Sequence, residues 1–188
     1  MLSYRQFISE ALENRIAEKR DPAVTKTDKY DSPTSFMKNA QKVGEVGGLE
    51  IHSSSTPGGG MAHFTWSPKD RMVHHILYAA EAKKDGDKTR LKFLSAHARK
   101  NSPVRMGQVY KSLVVDHNRE LVGTSHSPGA RKMWERLHQD PDLQIHGVHS
   151  NGEVQKLNPG DKMHVPYGEA NNPSEKKIAR MHLVLSKK

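Results

Sequence analysis

A run of basic residues without any acidic residue is the part of this sequence best suited to bind an anion. It covers residues 88–111 and holds seven lysines and arginines: Lys88, Arg90, Lys92, Arg99, Lys100, Arg105 and Lys111. Ser102 and Pro103, inside the run, are typical of a helix start, where backbone N–H groups and the helix dipole attract phosphate. Two interpretations stay open: a phosphate-binding surface around residues 103–107, and a solvated charged face without a specific ligand.

Metal and thiol chemistry find little support in the sequence. The chain has no cysteine, which excludes disulfides, thiolate catalysis and cysteine-bound zinc. His74 and His75 are adjacent, and His146 and His149 are three residues apart. On a strand either spacing points the two rings to opposite faces of the sheet, so we expect no metal site.

Composition indicates a soluble, basic protein. Among 188 residues, 30 Lys and Arg stand against 21 Asp and Glu, and the net charge of +9 favours nucleic acid or phosphorylated ligands as partners. Apolar residues make up 34% of the chain, which predicts a modest core with substantial irregular segments. No apolar run approaches the roughly 20 residues that cross a bilayer, and no apolar signal core is present. We therefore expect no membrane partner, no export by a signal peptide and, without other targeting, a cytoplasmic location.

The basic run must be positioned by a strand and a helix. Residues 89–98 alternate basic with apolar side chains, which predicts a strand with one basic and one apolar side. Ser102 is suited to cap the following helix, with Pro103 at its first position. This helix carries an apolar stripe at helical spacing, made of Met106, Val109, Tyr110, Leu113 and Val114.

A strand followed by a helix that begins with Ser-Pro then occurs a second time. Residues 120–124 predict a short strand, and Ser127 with Pro128 predicts the start of a second helix. Its apolar stripe consists of Ala130, Met133, Trp134 and Leu137. Residues 143–148 return as a further strand. A strand-helix-strand-helix-strand order implies right-handed crossovers and a locally parallel sheet.

The N-terminal segments differ from this unit. Residues 1–20 predict an amphipathic leader helix, and residues 21–48 predict a polar linker with at most a brief helix near residues 35–41. A globular domain is expected over residues 49–188.

Further strands are expected around the central unit. They cover residues 49–53, 61–66 and 178–186, whereas residues 158–174 predict a loop. Residues 71–83 fit either a strand or a helix. We favour a strand, because Asp85, Gly86 and Asp87 would then join it to the next strand as a hairpin.

This order of elements resembles the GNAT acetyltransferases over about residues 49–188. The most specific part is ELVGTSHSPGARKMWERL at residues 120–137. It is similar to that family's strand-turn-helix, in which a polar turn residue precedes an Ala-x-x-x-Tyr-Glu-Lys-Leu helix. Ser127 would hold the turn position and Ala130 the small packing position, and Trp134 stands at the tyrosine position. The resemblance implies an α/β (α+β) fold with a mixed, mostly antiparallel twisted sheet.

The resemblance also implies acetyl-CoA as cofactor. Its pyrophosphate would lie at residues 104–109, where the family has Gln/Arg-x-x-Gly-x-Gly/Ala. With Gly107 as the central glycine, Val104 and Val109 stand at the two flanking positions, and only Arg105 and Gly107 resemble the pattern. The cofactor-binding residues implied are Val104, Arg105, Met106, Gly107, Gln108, Val109 and Ser127.

Catalysis is less well defined by the same resemblance. The indole of Trp134 cannot protonate the leaving thiolate as the family's tyrosine does, so another group does it or the fold has lost catalysis. His97 and His126, near strand ends, are the candidate general bases. With 12 histidines in the chain, one near any chosen site is also expected by chance.

The first residues carry a second resemblance. MLSYRQFISEA looks like the capsid-targeting leader of internal head proteins in T-even-type bacteriophages. In that family a protease cuts after the glutamate of an Ile/Leu-x-Glu signal, which implies cleavage after Glu10 or Glu18. The implied location is the interior of the virion head, followed by the host cytoplasm. An ordinary amphipathic helix is the alternative.

Two functional hypotheses follow. The first is a bacteriophage GNAT-like domain that binds acetyl-CoA and acetylates a protein or small-molecule target. The second is a non-enzymatic, basic internal virion protein that binds DNA or inhibits a host protein with a degenerate GNAT-like scaffold; packaged phosphates attract such a protein in either case.

Overall fold

The structure of the chain is a computed structural model. It describes residues 39–55, 60–85, 88–123, 128–149, 151–163, 172–173, 178 and 181–188. The predicted leader with Glu10 and Glu18, the first part of the linker, the turn at residues 86–87, and His126 and Ser127 lie outside these residues. None of the helices in the described part combines the length and the apolar character needed to cross a membrane.

The described residues form an α+β fold with nine strands and two helices. The strands are β1 (Gln41–Val46), β2 (Leu49–Ser55), β3 (Met61–Ser67), β4 (Met72–Asp85), β5 (Lys88–Ala98), β6 (Arg119–Gly123), β7 (Leu143–Val148), β8 (Val154–Lys156) and β9 (His182–Lys187), and the helices are α1 (Met106–Val115) and α2 (Pro128–His138). The sheet is mixed and mostly antiparallel, which confirms the predicted fold class.

The chain divides into two compact units, where the sequence predicts one domain. The first contains the described residues up to Glu81 together with Leu94–Arg105, and the second contains Ala82–Phe93 and the described residues of Met106–Lys188. The long strands β4 and β5 contribute residues to both, which the sequence pattern of either strand does not reveal.

In the first unit, neighbouring strands follow the order β1-β2-β3-β4 and pair antiparallel. β1 lies within the segment predicted as a polar linker, so that prediction is wrong for residues 41–46. Gly47 and Gly48 have φ of +54° and +79° and form the two-residue turn that returns the chain into β2. Buried side chains on β3 and β4, among them Phe64, Trp66 and Ile76, form an apolar core.

In the second unit, β5 and β6 are parallel neighbours, as the predicted crossover requires. β6 and β7 are not neighbours, because β9 lies between them and pairs antiparallel with both. The locally parallel sheet that the sequence predicts therefore stops after one strand pair. The backbone groups on one edge of β6 and one edge of β7 are satisfied by β9, which comes from the C-terminal end of the chain.

The helices and the ends of the strands also differ in detail from their predicted bounds. α1 begins at Met106 and not at Pro103, β9 begins at His182 and not at residue 178, and β8 is not predicted at all. The stripe of α1 is confirmed for Val109, Tyr110, Leu113 and Val114, which are buried, whereas Met106 is partly exposed. The strand interpretation of residues 71–83 is confirmed by β4.

Candidate functional site

The segment before α1, which is the centre of the predicted phosphate site, is held on the sheet of the first unit by a buried histidine. The Nε2 atom of His75 lies 2.9 Å from the carbonyl oxygen of Val104, and its Nδ1 atom lies 2.6 Å from Oγ1 of Thr65. Both His75 and Thr65 are fully buried. Because a carbonyl can only accept, Nε2 carries the proton, and the Thr65 hydroxyl donates to Nδ1 of the neutral ring.

Burial keeps His75 in this neutral form. It lowers the pKa of the ring to about 4, the hydrogen bond to the Val104 carbonyl acts in the opposite direction, and the neighbouring His74 lowers the pKa further. At neutral pH the ring is therefore uncharged, and it acts as a fixed link between β3, β4 and the segment that leads into α1.

The backbone N–H, the carbonyl and the side chain of Val104 all make contacts within the first unit. Its backbone N–H donates to Oγ of Ser102 at 3.3 Å, its carbonyl accepts from His75, and its side chain is 3% exposed. A Cβ built on Gly47 would lie 2.6 Å from Cγ2 of Val104, so the turn after β1 packs directly against it. Val104 thus has a structural role in the first unit and offers neither backbone group to a ligand in this conformation.

The segment before α1 is not helical, and α1 begins at Met106. The Ser102 hydroxyl accepts from the Val104 N–H, two residues on, which is a contact that an N-capping serine also makes. The Val104 carbonyl, which a helix from Pro103 would offer to the N–H of Gln108, accepts from His75.

The N-terminus of α1 retains the character of an anion site. Its first turn contains no acidic residue, and backbone N–H groups in the first turn of a helix point along the axis toward its N-terminus. Arg105 is exposed directly before it. Gly107 and Gln108 lie in the first turn, whereas the side chain of Val109 is fully buried. Of the predicted cofactor-binding residues, Arg105, Met106, Gly107 and Gln108 are thus placed together at one helix end.

Gly107 also serves helix packing. A Cβ on this residue would lie 3.5 Å from Cγ of Met133 and 3.9 Å from a Cδ of Leu137, both on α2. These are ordinary van der Waals distances, so the glycine faces α2 and an alanine would fit. The close approach of a phosphate to a glycine, which the resemblance implies, is not required to explain this residue.

Arg90 and Lys111, in the basic run, form ion pairs with carboxylates. Arg90 binds Glu120 through Nη2 at 2.7 Å and Nε at 2.9 Å. Lys111 contacts Asp140 at 2.9 Å and Asp142 at 2.7 Å, and these carboxylates raise the pKa of the ammonium group. Lys92, Lys100 and Arg105 are exposed.

The position that the resemblance assigns to the proton donor is in the core. Trp134 is 2% exposed and meets the ring of Tyr110 edge-on at 6.3 Å, and Tyr110 stacks on Phe93 at 5.2 Å. Burial raises the pKa of Tyr110. The two aromatic residues therefore pack α1 and α2 on the sheet, and neither presents an acidic proton to a bound ligand.

Of the two predicted general bases, His97 lies within the described residues and His126 lies outside them. His97 lies in β5, within the first unit, and is partly buried.

Within the described residues, no group of three or more His, Asp or Glu side chains could hold a metal ion. Sequence patterns do not identify His75 and Thr65, because their link to Val104 depends on the register between β3 and β4, which pairs Thr65 with His75.

Comparison of the chain with protein-family models, with curated proteins and with solved structures gives no match. A function for this protein has to be proposed from its own residues.

Proposed function

We propose that the chain has a GNAT-like domain over about residues 49–188 that binds acetyl-CoA, with a phosphate of the coenzyme at the first turn of α1. The observation that carries the proposal is the parallel pair β5–β6 joined by a helix whose first turn contains no acidic residue. In sheets with this connection, ligands bind beyond the carboxyl ends of the parallel strands, where the crossover helix begins. The strand and helix order that resembles GNAT proteins supports the same assignment.

Some of the residues at the start of α1 are suited to bind a phosphate. The backbone N–H groups of Met106, Gly107 and Gln108 point along the helix axis toward its N-terminus, where the dipole favours negative charge. The Arg105 guanidinium adds a charge directly before them. Val104 and Val109, in contrast, act through packing. When bound, the coenzyme supplies an activated acyl group, and a protein or small-molecule amine is the expected acceptor.

A matched pair of substitutions tests the backbone contact. Met106→Pro removes the first helical N–H and suits the first position of a helix, whereas Met106→Ala keeps the N–H. We expect calorimetric titration of the full chain to give micromolar acetyl-CoA binding, which Met106→Pro weakens at least tenfold and Met106→Ala leaves within about twofold.

A charge substitution provides the second arm of the same test. Arg105→Gln should weaken acetyl-CoA binding about tenfold or more, since charge-assisted hydrogen bonds contribute about 1.5–3 kcal/mol. Lys132→Gln, at an exposed lysine of α2, is the control for net charge. Absence of binding at millimolar acetyl-CoA would rule out the coenzyme proposal.

A second candidate function is favoured by the packing of α1 on α2. Gly107 and Trp134, the positions that the resemblance assigns to coenzyme and acid chemistry, both serve contacts within the fold. This is the arrangement expected of a GNAT-like scaffold without catalysis, in a basic bacteriophage protein that is packaged in the head, delivered to the host cytoplasm and binds DNA or a host protein. Mass spectrometry of purified virions, searched for the chain cut after Glu10 or Glu18, tests this location.

A further inference from the structure

The turn between β3 and β4 holds an arginine in an unusual backbone conformation. Arg71 has φ of +59°, which is uncommon for a residue with a Cβ atom. Its N–H donates to the Ser67 carbonyl at 2.8 Å, and the Asp70 N–H donates to Oγ of Ser67 at 3.4 Å. The Met72 N–H donates to Oδ1 of Asp70 at 3.2 Å. A glycine would adopt this conformation without strain, so the shape of the turn does not explain the arginine.

Two lysines lie close to this arginine. Lys69 precedes it by two residues in the same turn, and Lys100 follows the end of β5. Arg99 fixes the position of Lys100, because its N–H donates to the His74 carbonyl at 2.8 Å and its Nε to the Val73 carbonyl at 3.3 Å. Both acceptors lie at the start of β4, directly after the turn. One end of the first unit therefore carries a group of three cations, which we call the basic tip: Lys69, Arg71 and Lys100.

The basic tip is open to solvent. Residues 68–72 and residues 100–101, which form its two turns, are all exposed. Within the part of the chain that the structure describes, none of its three cations forms an ion pair. Their charges are therefore available to a ligand.

The carboxylates near the basic tip have partners of their own. Asp70 accepts from Nε2 of the buried His74 at 3.2 Å. Hydrogen bonds from Ser67 and His74 lower the pKa of Asp70, which is therefore charged at neutral pH. Glu50, on the neighbouring strand β2, binds Lys42 at 3.0 Å. The basic tip thus combines three positive charges with the one negative charge of Asp70.

We propose that the basic tip binds the phosphate backbone of duplex DNA. Its cations lie on two exposed turns, and a polyanion offers phosphates to all of them at once. Duplex DNA carries one charge per about 1.7 Å of helix axis. An anionic membrane suits this surface less well, because Met72, at 38% exposed, is the one large apolar side chain that the tip offers for insertion. The proposal specifies the DNA-binding alternative of the second candidate function and is independent of coenzyme binding.

The experiment is a fluorescence anisotropy titration of a labelled duplex of about 30 base pairs with the full chain, without coenzyme, over a series of salt concentrations. The test variant combines Lys69→Gln, Arg71→Asn and Lys100→Gln; asparagine is chosen because it tolerates positive φ. The control combines three substitutions at exposed residues of the second unit: Lys132→Gln, Arg136→Gln and Lys156→Gln. Each variant removes three positive charges, so the two differ in where the charge is lost.

We expect the wild-type chain to bind the duplex with a strong salt dependence. The test variant should weaken binding at least tenfold at low salt. It should also reduce the slope of log Kd against log salt concentration by about 2.7, since each phosphate contact contributes about 0.9. The control should stay within about threefold of wild type. Lys69→Gln with Lys100→Gln, which leaves the strained turn unchanged, should reduce the slope by about 1.8.

Three results would overturn the proposal. The first is no DNA binding at low salt, and the second is an equal loss of binding in the test variant and the control. The third comes from flotation with phosphatidylserine vesicles: vesicle binding that the test variant loses, with DNA binding unchanged, would assign the basic tip to a membrane. Failure of acetyl-CoA binding would leave each of these readouts unaffected.

Discussion

His75 and Val104 are joined by a buried hydrogen bond across 29 residues of sequence, from Nε2 of the ring to the backbone carbonyl, at 2.9 Å. The bond fixes the segment that leads into α1 on the sheet of the first unit. With Thr65 bonded to the other ring nitrogen, the imidazole has one defined tautomer and orientation.

Replacing His75 should lower stability substantially. His75→Ala leaves the Val104 carbonyl and the Thr65 hydroxyl buried without their partner and opens a cavity. We expect the free energy of unfolding, from urea denaturation, to fall by about 2–4 kcal/mol. His182→Ala, at an exposed histidine, should change it by less than about 0.5 kcal/mol. Similar small effects of both substitutions would contradict a structural role for His75.

Stability should fall in mildly acidic solution because of the same residue. The pKa of His75 is lowered from 6.5 to about 4 in the folded chain. Between these values the unfolded state binds a proton that the folded state does not, so the free energy of unfolding falls as the pH is lowered through this window. The loss attributable to His75 amounts to about 3 kcal/mol at the lower end.

Urea midpoints between pH 7 and pH 4 measure this effect. The wild-type midpoint should decrease more steeply than that of His75→Gln, in which the titrating ring is absent. Parallel pH profiles of the two proteins would show that other groups cause the acid sensitivity.

The turn between β1 and β2 offers a matched pair of glycines. Both have positive φ, so an alanine at either position is strained by about 1 kcal/mol. Gly47→Ala adds an overlap with Val104, whereas a Cβ on Gly48 meets nothing within 4 Å. We expect Gly47→Ala to lower the free energy of unfolding by about 1–3 kcal/mol more than Gly48→Ala does. Adding Val104→Ala should recover part of this difference; equal effects at both glycines would mean that the overlap is relieved without cost.

Most of the regular elements could be predicted from the sequence, because their signals are local. The alternation of residues 89–98 and the apolar stripe of α1 reflect which side of each element is buried. The strand β1 is missed, since it lies at an edge of the sheet, where polar and glycine residues resemble those of a linker. The start of α1 is predicted too early, and the hydrogen bond between the Val104 carbonyl and the distant His75 has no signal in the local sequence.

By itself, the sequence determined the basic character of the chain, the kinds of elements from β2 onward except β8, and the candidate anion site at the start of α1. Only the tertiary structure decided that Val104 is buried and hydrogen-bonded to His75 and that Gly107 faces α2. Strand pairing likewise decided that Lys92 lies beside Val122 and Lys156 beside His146. The physical reason is the same in each case. Periodicity depends on neighbours within one element, whereas these contacts depend on strand register and helix packing between segments far apart in the chain.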